Sequence, residues 1–382
     1  MPGPPMSDTI RRKPAEMHTE TAPRPLLCRC PAGPFFAMSA VFAVLLSWVW
    51  TLPVADARLV HLRLGIFGFG GAAVVGYVLT ALPAWTQHRP PLGLRSLVLA
   101  FLLGRGLALA FPAAGLPPAL PGGVIGLAIL YPALRGAPLS RLPIAAAPLT
   151  LALGELGIVH AVIPVEAAEI FMACLILLVG GRAVPAFIAT EAARRGQTLP
   201  APGSLLLPFA LVLFTAGLGR AVALGAGILL AGSILWRIRH AWRAGAANLM
   251  LAGAWGTLAL TMPGLLLAGS GIGIEMGHLF LIVTMGGTVF AFAGRAAMER
   301  PASGGLRPRR VQLPGMALVI AAGPMRFLAG SGHAESWLAI SAACWSLGWL
   351  CFLGAFLPAL WRPAPFPVLS AAREMRGPAD EP

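Results

Sequence analysis

The stretch HLRLGIFGFGGAAVVGYVLTALPAWT, from His61 to Thr86, decides how this chain is read. One charged residue, Arg63, interrupts a run long enough to cross a bilayer, which takes about 20 residues of apolar helix. Gly65, Gly68, Ala72, Gly76 and Thr80 recur at three- and four-residue steps, so a helix carries them as one smooth stripe. Such stripes let two helix backbones approach closely in lipid. The stripe predicts helix packing, with a cleft for a flat cofactor as the alternative.

Working outward, comparable runs recur from Pro34 to Trp361. Of 382 residues, 57% are hydrophobic and only 11% charged, with a mean hydropathy of +0.79. A soluble domain carries about 25% charged residues. The composition defines an all-α, polytopic membrane helix bundle. Basic residues outnumber acidic ones 28 to 14, yet the arginines sit in short loops between apolar runs. There they speak of topology rather than of a nucleic-acid partner.

Runs bounded by Arg, Pro and Gly place twelve helices. The first six lie at about 34–54, 59–84, 94–112, 117–134, 142–163 and 166–190. The second six lie at about 203–219, 221–236, 247–269, 272–297, 312–330 and 336–361. Loops after even-numbered helices hold Arg89 and Arg95, Arg194 and Arg195, Arg237, Arg239 and Arg243, and Arg300 with Arg307, Arg309 and Arg310. Arg135 and Arg141 flank the loop after the fourth, whereas loops after odd-numbered helices are nearly bare. Arginine and lysine are retained on the cytoplasmic side, so both termini are expected there.

Residues 1–33, polar and proline-rich, read as a disordered cytoplasmic tail without the apolar core of a signal peptide. Residues 34–362 form the twelve-helix transmembrane domain and 363–382 a cytoplasmic C-terminal tail. Five cysteines make no disulfide framework. Cys174, Cys344 and Cys351 read as packing residues, and Cys28 with Cys30 forms an isolated C-x-C.

On this topology His61, His160 and His278 all fall near outer helix ends. Each alone is ordinarily an interfacial residue, but three neutral imidazoles at one depth could hold a metal or a haem iron. His88 and His240 lie in basic loops, His18 in the tail, and His333 in a short outer loop. Ionisable groups within spans are functional candidates by default: Arg63, Arg105, Glu155 and Glu275. Arg105 and Glu155 could form a structural pair. Alternatively, arginines neutralise haem propionates while histidine holds the iron. Arg182 is explained by snorkelling. The absence of H-E-x-x-H, a Walker loop or a Ser/His/Asp signature argues against a peptidase or a nucleotide-driven pump.

At these segments the chain resembles the NnrS family, twelve-helix bacterial inner-membrane proteins described as binding haem and copper and linked to nitric oxide metabolism. That family carries a block like HAHEMLFGF-x-x-A-x-x-G-F-L-L-T-A-x-P-N-W-T, matched here by His61 to Thr86. His278 through Arg295 looks like a second block, and GGRAVPAFIATEA, from Gly180 to Ala192, is similar to the family's GRVIPFFTRNA. Gly104-Arg105 and His160 match shorter features. Of the HAHE positions only His61 is retained, with Arg63 and Leu64 in place of the second histidine and the glutamate. The stretch LMLAGAWGT lacks the histidine usual in the ninth helix, and Glu299-Arg300-Pro301 replaces GHTGR.

The resemblance implies a haem-binding inner-membrane protein serving nitric oxide metabolism or resistance to nitrosative stress. His61, His160 and His278 are the candidate ligands, His61 and His278 the metal-binding pair, and Arg63 and Arg105 the propionate partners. Copper is the second implied metal. Its surroundings would be the lipid bilayer and nitric oxide or a related small molecule. The alternatives are a metal-free transporter using Arg105 and Glu155, or a divergent member that has lost its metal sites. Seven histidines, several on the inner side, are too few for chemistry like that of the haem-copper oxidases.

Overall fold

The computed structural model describes residues 25–369 apart from 55, 87, 201–204, 206–207, 209, 213–219, 268–272, 302–303, 332–333 and 363–367. The described residues are helical throughout, joined by short turns, with no strand. Helices are numbered α1 (Ala32–Leu46), α2 (Ala57–Trp85), α3 (Leu94–Ala110), α4 (Leu116–Gly136), α5 (Leu142–Val159) and α6 (Val165–Arg194). Then follow α7 (Arg220–Ile238), α8 (Ala246–Gly256), α9 (Leu258–Leu267), α10 (Ile274–Ala297), α11 (Gln312–Leu328) and α12 (Ala334–Leu360). Among the described residues, seven helical stretches are long and apolar enough to cross a membrane. This is a multi-pass membrane protein. The expected seventh span, 203–219, falls mostly outside the described residues, as do His18, His333 and the expected C-terminal tail apart from Val368 and Leu369.

Two expected outlines change. The stretch 247–269 is divided at Thr257, whose hydroxyl donates to the Ala254 carbonyl at 2.6 Å. Bonding a nearby carbonyl in this way competes with the helix ladder. The first helix stops at Leu46 rather than near 54, because the chain turns through Trp48, whose indole donates to Ser346 at 3.0 Å. Leu26 and Cys30, expected in the N-terminal tail, also pack: the Leu26 amide donates to the Arg362 carbonyl at 3.0 Å, and Cys30 is buried beside Thr80. Burial pushes the Cys30 thiol up from its ordinary value.

Two helices occupy the centre. The apolar windows of α2 and α10 are each 72% buried, against 28–44% in the other candidate spans. The small-residue stripe of α2 receives α1: a Cβ at Gly76 would stand 2.8 Å from Phe35 Cβ, and one at Gly68 would stand 3.4 Å from Phe42. On the other side Phe69 and Phe290 meet the α12 row of Trp345, Trp349 and Phe352 at centroid distances of 5.1–5.7 Å. Without a hydrophobic drive between helices in lipid, this close packing is what holds the centre.

Candidate functional site

The two central helices share a local peculiarity. In α2 a wide π-turn runs over Arg63–Gly70, and in α10 another runs over Phe280–Gly286. Each begins two residues after a histidine, His61 in one and His278 in the other. Such segments re-aim side chains and concentrate at functional sites.

At this end of the bundle the His61 and His278 rings lie 6.3 Å apart, centroid to centroid, with planes 27° from parallel. His61 Nδ1 sits 2.9 Å from the Leu46 carbonyl oxygen, and His278 Nδ1 sits 2.8 Å from that of Ile274. A carbonyl only accepts, so in the neutral rings both Nδ1 atoms carry the proton and both Nε2 atoms keep a lone pair. Trp50 lies 5.4 Å from the His61 ring. Arg326 of α11 is close enough to both rings, and to Glu275, to act on them electrostatically. Any side chain at Gly277, next to His278, would strike the Glu169 carboxylate of α6.

The other expected residues gather elsewhere. Glu155 of α5 is 1% exposed and receives Arg63 Nε at 2.8 Å, Arg105 Nη1 at 2.9 Å and Arg105 Nη2 at 2.5 Å. Arg63 Nη1 donates further to the carbonyls of Pro112 and Ala114, at 2.7 and 2.9 Å. The cluster ties α2, α3, α5 and the α3–α4 turn together. Both arginines are thereby committed to one carboxylate. His160 lies at the C-terminal end of α5, exposed, packed against Gly115 and followed by Ala161 at φ 55. Among the described residues no three His, Cys, Asp or Glu side chains come close enough to hold a metal between them.

Sequence reasoning therefore missed two groups, Arg326 and Glu169. Both are charges within apolar helices, the signal that singled out Arg105 and Glu155. Arg182, by contrast, reaches the Ser140 carbonyl at 2.8 Å, as a snorkelling arginine does.

An all-helical, multi-pass membrane protein with two facing histidines on its two central helices is the class that fold and site define. A model of the NnrS protein family matches residues 27–364. The chain belongs to the NnrS family. No curated protein sequence matches it.

Proposed function

We propose that this chain is a bacterial inner-membrane protein of twelve spans with both termini in the cytoplasm. In this reading it binds haem through His61 and His278 and serves nitric oxide metabolism or resistance to nitrosative stress. The observation that supports it is the pair of imidazoles with both Nδ1 atoms bonded to carbonyls and both Nε2 atoms unspent among the described residues. With metal–nitrogen bonds of about 2.0 Å, two imidazoles sharing one metal have ring centres about 5–6.4 Å apart. The 6.3 Å separation is compatible with that spacing. Copper would use the same two nitrogens. Arg63 and Arg105 are engaged by Glu155, so Arg326 takes the part of propionate partner.

Haem, held by His61 and His278, would supply a redox-active iron. The chain's own residues do the rest. The carbonyls of Leu46 and Ile274 fix the tautomer and orientation of each ring, as groups behind a metal ligand commonly do. Trp50 covers the His61 ring. The Arg63–Glu155–Arg105 cluster holds the wide turn that begins two residues after His61.

The test is optical. Protein purified after expression with haem supplied should show a Soret band, and the His61→Ala, His278→Ala double variant should lose most of its haem. A spectrum without a Soret band, or unchanged haem content in the double variant, overturns the reading. Phosphatase and fluorescent-protein fusions at the termini and arginine-rich loops check the topology.

A further inference from the structure

Beside the wide turns, α2, α6 and α10, with Phe36 of α1 and Ile144 of α5, line a half-open cavity of about 90 Å³. Its wall is apolar, with Phe36, Val78, Met172, Leu175, Met285 and Phe292 among its members. No acidic or basic side chain lines it. Two groups break the pattern, Tyr77 and Thr288. Thr288 of α10 faces this cavity, is only 5% exposed, and its hydroxyl has no hydrogen-bond partner among the described residues.

That hydroxyl is unlike the other threonines here. A helical threonine ordinarily returns its proton to the carbonyl one turn back, as Thr80 does to Gly76 at 2.6 Å and Thr190 to Ala186 at 2.8 Å. Thr284, one turn before Thr288, is held by Thr257 and Thr261 at 2.9 and 2.8 Å. A buried hydroxyl left without an acceptor is destabilising, and an occupant bringing an acceptor relieves it. The uncharged wall rules out an ion, because a buried charge needs a partner.

We propose that this cavity binds a small, uncharged, mostly apolar molecule with one acceptor atom, which takes a hydrogen bond from Thr288. An engineered apolar cavity of about 150 Å³ admits benzene, so this one has room for about four heavy atoms. Such molecules partition into a bilayer and reach a buried site without an aqueous path. The site is separate from the histidine pair and stands whether or not haem is bound.

The experiment uses the full chain in detergent, with xenon, acetone and isobutene as probes. Isobutene has the shape of acetone without its acceptor oxygen. Xenon-129 NMR should show a saturable shift absent from empty micelles. Acetone, corrected for micelle partition, should displace xenon at about fivefold lower concentration than isobutene, the advantage of one net hydrogen bond. Thr288→Val, close in shape, should keep the xenon shift and lose the acetone advantage. Ala73→Leu, which adds three carbons at the cavity wall, should abolish the shift. A wild-type protein with no saturable shift, as when a lipid tail fills the space, overturns the proposal. So does an acetone advantage that survives in Thr288→Val.

Discussion

In α2 the wide turn after His61 delivers Arg63 to the Glu155 carboxylate at 2.8 Å, whereas in α10 the corresponding turn after His278 delivers Thr284 to the hydroxyls of Thr257 and Thr261. The two helices are equally buried and distorted at matching places, yet one is locked by charge and the other by hydroxyls. These locks fail differently. Removing one member of a buried ion cluster strands a charge in low dielectric, whereas a hydroxyl that loses its neighbour falls back on a backbone carbonyl. The α2 half should therefore be brittle and the α10 half forgiving. It is in the wall shared with the forgiving helix that a hydroxyl is left facing a cavity.

Breaking the charge lock is the most severe test. Glu155→Gln keeps the shape but leaves Arg63 and Arg105 without a counter-charge, and should cost about 3–5 kcal/mol. The expected result is a sharp fall in folded yield and in thermal midpoint in detergent. The triple replacement Arg63→Met, Arg105→Met, Glu155→Leu should be less damaging, because it strands nothing. If the single variant unfolds like wild type, the lock is ornamental and the contrast collapses.

The far end of α10 sharpens the contrast with a charge held by neutral groups. Arg295 is 1% exposed and donates to Asn248 Oδ1 at 2.9 Å and to the Leu369 carbonyl at 2.7 Å, with the Phe187 ring 4.1 Å from its guanidinium carbon. Asn248→Ala removes one acceptor from a charged donor and leaves the other in place. The expected loss is about 1.5–3 kcal/mol, below that of Glu155→Gln in the same thermal assay. An equal or larger loss would mean that the carboxylate is not what makes the α2 half brittle.

How much of this was legible beforehand follows from what each signal measures. Hydropathy and loop charge report depth along a helix, and His61 and His278 do meet at one end of the bundle. They say nothing of rotation about the helix axis. That is why Arg63 was expected at a propionate rather than at Glu155. The Arg105–Glu155 pairing was readable, because two opposite charges within apolar spans have few other partners. The wide turns were not, since they depend on what packs alongside: Ser39 of α1, for example, donates to the Phe69 carbonyl within the α2 turn at 2.8 Å. The break at Thr257 was hidden by an apolar run that continues across it.

The hydroxyl lock should give the smallest effect. In Thr284→Val both neighbours lose a contact, but Thr257 still reaches the Ala254 carbonyl and Thr261 that of Thr257, at 2.6 and 3.2 Å. Hydrogen bonds between membrane helices are worth about 0.6 kcal/mol on average and rarely more than about 1.7. Thr284→Val should therefore lower the thermal midpoint slightly, and adding Thr261→Val should change little further, since the second hydroxyl by then bonds only within its own helix. A loss approaching that of Glu155→Gln would show that the hydroxyls act as one cooperative network. The two central helices would then be locked with equal force by different chemistry.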